Sequence, residues 1–91
     1  MNLPRQTLGQ WLLNERCVSG HTQKELASIC GFKTPQFVSN WERGISYPSF
    51  ESIKPLAKAF RMKKEKLVEM IFECKMNELY AEEDTWIKRL K

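Results

Sequence analysis

The sequence predicts an all-α fold of five helices. Its apolar residues recur at spacings of three and four, as they do along one face of a helix. No alternating run of β-branched or aromatic residues lies between turn residues, as a strand would require. Helix-capping residues and glycines divide the chain into short segments. With 91 residues, 42% of them hydrophobic, the chain can form one domain with a modest core.

The first helix is predicted to run from about Pro4 or Thr7 to Cys17, and residues 18–21 form a loop. Its buried face is marked by an apolar stripe: Leu8, Trp11, Leu12 and Leu13. The second helix opens with a capping box, because the side chains of Thr22 and Glu25 can each accept a hydrogen bond from the other's backbone N–H. Gly31 follows as a typical C-terminal stop.

The third helix is predicted from Thr34, as N-cap, to Arg43, with Pro35 at the first helical position, where no donor is needed. The fourth helix is predicted from near Ser49 to about Phe60. Pro55 lies inside it and is expected to remove one hydrogen bond and bend it. The fifth helix begins near residue 63 and meets no helix breaker before the chain ends.

The second and third helices form a short pair joined by a tight turn, the arrangement that places a helix in the major groove of DNA. If Val38 and Trp41 pack inward, the outward face of the third helix carries five residues: Pro35, Gln36, Ser39, Asn40 and Arg43. Glutamine and asparagine amides can pair with an adenine edge. A polar face is also ordinary for any surface helix, so this pattern leaves both interpretations open.

Basic and amide side chains next to that face suit phosphates. Lys33 and Arg43 flank it, and Gln23 lies in the first turn of the second helix, beside backbone N–H groups that attract anions. Phe37 lies near the same side. We expect it to be partly buried core, and the alternative is a contact with a thymine methyl group.

Several different short motifs follow one another through residues 8–71, and their combined spacing is specific. They are Leu8-Gly9, Leu12 with Arg16, Thr22–Ala27, Gly31, Val38–Gly44, Pro48-Ser49 and Leu56–Phe60. Together they resemble the lambda-repressor-like, or Xre-type, helix-turn-helix domain. The resemblance implies a five-helix fold whose second and third helices bind double-stranded DNA, usually as a dimer. We accordingly assign residues 1–71 to a DNA-binding domain. Residues 72–91 lie outside the resemblance and are expected to be a C-terminal helical extension that is a possible dimerisation element.

The resemblance also implies roles for single residues. Gln23, Gln36 and Asn40 occupy the family's main DNA-contact positions, and Arg16 and Glu42 form an ion pair that ties the first helix to the end of the third.

Two features depart from the family pattern: the stretch from Gly31 to Gly44 is one residue longer, and Pro35 stands where a polar base reader is common. Base specificity then depends on the remaining positions: Gln36, Asn40, Lys33 and Thr34.

The extension carries an apolar stripe at spacings near 3.5, interrupted by Glu83: Phe72, Met76, Leu79, Trp86 and Leu90. Tyr80 and Trp86 are of the aromatic type that is enriched in interface cores. The stripe is compatible with a dimer seam and equally with folding back on the domain.

Charge and composition exclude several classes of protein. Residues 1–71 hold 11 basic and 6 acidic residues, whereas residues 72–91 hold 4 and 5, so a basic surface belongs to the first part. Cys17, Cys30 and Cys74 are expected to be reduced thiols, and one histidine, His21, gives no metal site. No cofactor is implied, no apolar run is long enough to span a membrane, and no secretory signal opens the chain, which favours the cytoplasm.

We therefore expect a sequence-specific duplex DNA-binding transcriptional regulator, acting as a homodimeric repressor. The alternative is a helix-turn-helix protein-interaction module, antitoxin-like or adaptor, whose tail binds a protein partner. An enzyme is not expected, because the sequence offers no nucleophile–base pair, phosphate-binding loop or evident small-molecule site.

Overall fold

The computed structural model describes the backbone of residues 7–90 and the side chains of residues 7–79. This part contains five α-helices, one 3₁₀ helix and no strand, which confirms the predicted all-α fold. The elements in chain order are α1 (Leu8–Val18), α2 (Gln23–Ile29), α3 (Gln36–Glu42), the 3₁₀ helix (Phe50–Ser52), α4 (Ile53–Ala59) and α5 (Lys64–Leu90). No helix in the described part is both long enough and apolar enough to cross a membrane.

Two capping boxes set the beginnings of α1 and α2. Thr7 caps α1 together with Gln10, so of the two predicted starts Thr7 is the observed one, and Pro4 lies outside the described residues. The predicted box at α2 is confirmed: the Thr22 hydroxyl accepts from the Glu25 N–H at 3.0 Å, and the Glu25 carboxylate accepts from the Thr22 N–H at 3.0 Å. This backbone hydrogen bond holds the pKa of the Glu25 carboxyl below its ordinary value.

The predicted start of the third helix was one residue early. Pro35 is the N-cap and not the first helical residue, because its ψ of 1° is not helical, while its carbonyl accepts the first bond of α3, from the Ser39 N–H. Thr34 is therefore not the cap, although its hydroxyl lies 3.5 Å from the backbone nitrogen of Gln36.

The prediction of one continuous helix from Ser49 to Phe60, with a hydrogen bond lost at Pro55, was also wrong. The segment consists of a 3₁₀ turn followed by α4, and Pro55 is the third residue of α4. In the first turn of a helix the backbone N–H has no partner within the helix, so the missing N–H of Pro55 costs α4 no hydrogen bond.

All five α-helices contribute to a single core. Its central side chains are Leu8, Trp11, Leu12, Leu26, Ala27, Val38, Trp41, Leu56, Ala57, Phe60, Leu67 and Cys74. The rings of Trp11 and Phe60 meet edge to face, 6.2 Å apart, so α1 packs against the end of α4. Leu13, the last member of the predicted stripe, is 43% exposed, so its assignment to the buried face was wrong.

α1 and α3 approach so closely that only glycine fits at their crossing. A Cβ atom built on Gly9 would lie 2.5 Å from the carbonyl oxygen of Glu42 and 2.9 Å from that of Trp41. Both neighbours are backbone atoms, which cannot rotate away as a flexible side chain could. Gly9 therefore fixes how near α3 lies to α1.

α5 continues without a break through residue 71, where the predicted domain and extension meet. Beyond that point Cys74 is buried in the core, and both carboxylate oxygens of Glu78 are engaged. One accepts from the Leu8 N–H at 3.2 Å and the other from the Tyr47 hydroxyl at 3.0 Å. One side of α5 is thus packed on the domain at least as far as Glu78.

The three cysteines differ in their surroundings, and none forms a disulfide. Cys17 is exposed, Cys30 is half-buried and Cys74 is buried. Burial raises the pKa of the Cys30 thiol to about 11, and burial is also the main cause that raises the pKa of Cys74.

Candidate nucleic-acid interface

α3 divides sharply into a buried and an exposed side. Val38 and Trp41 are 1% and 3% exposed, and the Trp41 ring also meets Phe32 edge on at 5.9 Å. The inward packing of Val38 and Trp41 is therefore as the sequence predicted. Gln36 and Arg43 lie on the opposite side of the helix and are exposed to solvent.

Three polar side chains on that side form a hydrogen-bonded row, which we call the amide row: Gln36, Asn40 and Arg43. The Gln36 Nε2 donates to Asn40 Oδ1 at 3.0 Å, and the Arg43 Nη2 donates to the same oxygen at 2.9 Å. The spacing of four and then three residues places all three on one face.

The other predicted contact residues of this region surround the amide row. Lys33, Thr34 and Pro35 are exposed in the turn before α3, and Ser39 is half-buried on the helix itself. The seven predicted contact positions from residue 33 to residue 43 thus all belong to α3, its C-cap or the turn that precedes it.

A buried charged cluster holds this stretch in place. Arg16 Nε donates to Glu42 Oε2 at 2.6 Å and Arg16 Nη2 to Glu42 Oε1 at 3.1 Å, the two-bond geometry that suits a guanidinium and a carboxylate. The side chains of Arg16 and Glu42 are 15% and 3% exposed. Arg16 Nη1 also donates to the His21 carbonyl at 3.0 Å, so α1, the loop before α2 and the end of α3 are joined. The hydrogen bond to Glu42 is the main cause that raises the pKa of Arg16.

Gln23 belongs to this cluster rather than to the amide row. Its Nε2 donates to Glu42 Oε1 at 2.9 Å, so the carboxylate receives donors from both α1 and α2. The sequence indicated Gln23 only as a DNA contact. Its role in holding Glu42 has no local sequence signal, because the two residues are 19 positions apart.

A helix-turn-helix family model matches residues 19–67, which is more than half of the chain. The chain belongs to the lambda-repressor-like helix-turn-helix family. The matched range begins in the loop before α2 and ends within the first turns of α5, so it includes the amide row. No curated protein sequence matches the chain at a significant level.

Two solved structures share the fold. The DNA-binding domain of the P22 C2 repressor aligns with a TM-score of 0.61 and 24% identity, covering 72% of this chain and 86% of its own. The clp gene regulator ClgR from Corynebacterium glutamicum aligns with a TM-score of 0.62 and 24% identity, covering 98% of this chain and 90% of its own. At this identity the likeness shows the fold alone.

Phe37 of this helix-turn-helix domain is neither core nor fully exposed. Half of its surface is open to solvent, and its ring stacks on Phe32 with centroids 4.4 Å apart. Phe37 does not belong to the hydrophobic core, so the expectation that it would was wrong. The stack supports the longer turn between α2 and α3, because Phe32 in turn packs against the core.

An apolar groove between the 3₁₀ helix and α5 was not predicted from the sequence. It has a volume of about 700 Å³ and is lined by Phe50, Ile53 and Val68 with charged residues at its edges. Phe50 is 88% exposed. The signal that was available is the position of Phe50, directly after the Ser49 cap and before the first buried residue of the segment.

The exposed side of α5 carries three members of the predicted stripe. Phe72, Met76 and Leu79 are 65%, 42% and 54% exposed, so these three do not fold back on the domain. The side that does so is formed by Leu67 and Cys74. The remaining predicted positions lie outside the described side chains: Tyr80, Glu83, Trp86 and Leu90.

Proposed function

We propose that this protein is a sequence-specific DNA-binding transcriptional regulator that reads the major groove with α3 and acts as a homodimeric repressor in the cytoplasm. The observation that carries the proposal is the amide row, which lies on the side of α3 opposite the buried Val38 and Trp41. Its two ends, Gln36 and Arg43, are exposed, and Asn40 between them is half-buried. Polar side chains that are held in line on a short, firmly packed helix suit the reading of base edges.

The dimensions of α3 fit this role. A helix enters the major groove, and its first turn lies nearest the bases. Gln36 is the first residue of α3 and Asn40 lies one turn further along the same face, a spacing that matches neighbouring base pairs. Lys33 before the helix and Arg43 at its end supply positive charge for phosphates on either side.

The names of the two structural neighbours support a DNA-binding regulatory function. One is described as the DNA-binding domain of a repressor and the other as a gene regulator. For the homodimer, support comes from the exposed side of α5, where Phe72, Met76 and Leu79 follow one another at helical spacing. A second copy that packs the same face against this one would cover all three side chains of both copies.

The test begins with selection of preferred sites from randomised duplex DNA. Gln36→Ala and Asn40→Ala are each expected to weaken binding to the preferred site by about 1 to 3 kcal/mol and to relax selectivity at one base position. Binding to random duplex at the same salt concentration should hardly change, because phosphate contacts supply that affinity.

A matched control is Asn14→Ala, which makes the same substitution as Asn40→Ala but at an exposed position of α1. It should leave both affinities unchanged. Should Gln36→Ala and Asn40→Ala lower specific and random binding equally, α3 does not read bases through these side chains.

The second candidate, a protein-interaction module, is favoured by one observation. Phe50 is 88% exposed beside the apolar groove, and large exposed apolar surfaces mark interaction sites. Duplex binding separates the two candidates, because a DNA reader loses affinity steeply as salt rises. A protein that binds no duplex at low salt would favour the interaction module.

A further inference from the structure

The amide row constrains which base each of its amides can read. An amide side chain has a carbonyl acceptor and an NH₂ donor of nearly the same shape, so its orientation follows from its partners. A guanidinium has donors only. The atom of Asn40 that faces Arg43 is therefore Oδ1, at 2.9 Å from Arg43 Nη2.

The orientation of Gln36 follows from that of Asn40. Because Asn40 Oδ1 is an acceptor, the Gln36 atom 3.0 Å from it must be the donor Nε2. Arg43 thus determines the orientation of the Asn40 amide directly and that of the Gln36 amide through Asn40. Of the two hydrogen bonds to Asn40 Oδ1, the one from Arg43 is the stronger, because its donor is charged.

The two amides then offer different groups to a ligand. Both hydrogen bonds to Asn40 end on Oδ1, which leaves the two Nδ2 hydrogens as its donors. Gln36 retains Oε1 as an acceptor and one Nε2 hydrogen as a donor. Adenine offers one donor, N6, and one acceptor, N7, whereas guanine offers two acceptors, N7 and O6.

We propose that Arg43 is a positioning residue that makes Asn40 select guanine, while Gln36 selects adenine at the neighbouring base pair. This inference rests on the proposed DNA-reading role of α3. It revises the sequence-based expectation that both amides read adenine, and it gives Arg43 a part in specificity beyond phosphate attraction. An adenine opposite Asn40 would leave its N6 hydrogens facing the Nδ2 donors of the protein.

The experiment measures affinities for a panel of duplexes based on the selected site. The base position read by Asn40 is the one whose selectivity Asn40→Ala abolishes. At that position the parent protein should prefer guanine over adenine by about 5- to 150-fold, the value of one good two-bond contact. In Arg43→Met the amide can rotate, so the preference should fall to within about threefold.

Lys33→Met is the matched control, since it removes one exposed cation from the same surface without touching the amide row. It should weaken every duplex alike and keep the guanine preference. The inference is overturned if the parent protein prefers adenine at this position, or if Arg43→Met only lowers all affinities in the way Lys33→Met does. A parent protein that shows no base preference at any position contradicts the proposed function itself, an outcome distinct from the other two.

Discussion

Replacing Arg16 by methionine is expected to destabilise the folded protein by about 3 kcal/mol, because it leaves the buried carboxylate of Glu42 without its cation. The Glu42 side chain is 3% exposed and receives three hydrogen bonds, two from Arg16 and one from Gln23. Methionine keeps the apolar stem of Arg16 in place, so the change removes the charge and the donors and little of the packing.

The magnitude follows from burial. Removal of one partner of a buried ion pair costs roughly 3 to 5 kcal/mol. Arg16 is 15% exposed, so water can reach the position of the lost guanidinium, and the lower end of that range applies. For a domain of this size, about 3 kcal/mol lowers the melting temperature by roughly 12 to 24 °C.

The assay is thermal and urea unfolding followed by circular dichroism. Arg16→Met combined with Glu42→Leu removes both charges and should recover most of the lost stability, since no charge is then left unpaired. The control Lys24→Met removes an exposed cation from α2 and should change stability by less than about 0.5 kcal/mol. If Arg16→Met unfolds at the temperature of the parent, the pair contributes nothing and the reasoning fails.

Three further predictions concern the packing, the charge and the tail. Gly9→Ala should lower the melting temperature although alanine is the better helix former, because its Cβ would lie 2.5 Å from the Glu42 carbonyl oxygen; an unchanged melting temperature would show that α1 and α3 can separate freely. Lys33→Ala should weaken binding to all duplexes alike and reduce the slope of log affinity against log salt by about 0.9, whereas a loss confined to one sequence would contradict a phosphate contact. Phe72→Asp, at a 65% exposed position of α5, should give a folded monomer in sedimentation, and a persisting dimer would place the interface elsewhere.

The elements that the sequence predicted correctly depend on local signals. The capping box of Thr22 and Glu25 spans four residues, and the inward side of α3 follows from the spacing of Val38 and Trp41. The errors concerned conformations that neighbouring residues alone do not fix. The fixed φ of Pro35 is compatible with either the N-cap or the first helical position, and its ψ of 1° in the folded chain makes it the cap.

Contacts between distant residues were beyond the sequence pattern. The pairing of Arg16 with Glu42 was expected only through the resemblance to a family, and the donation from Gln23 to Glu42 was not expected at all. Glu78, which accepts from the backbone of Leu8 across 70 positions, has no neighbour along the chain that would indicate such a role. Hydrogen bonds of this kind depend on how the helices pack, and no periodicity encodes them.

By itself, the sequence determined that this is a five-helix protein with a polar side on its third helix, because helical periodicity and capping are properties of short segments. Only the tertiary structure decided which hydrogen-bond partners the polar side chains have. In the folded chain Gln36, Asn40 and Arg43 are hydrogen-bonded in one row. Gln23 donates to Glu42 instead of joining that row, and Phe72 is exposed. The physical reason is that a side chain's hydrogen-bond partners are set by distances in space, which the packing of α1, α2 and α3 fixes and their sequences do not.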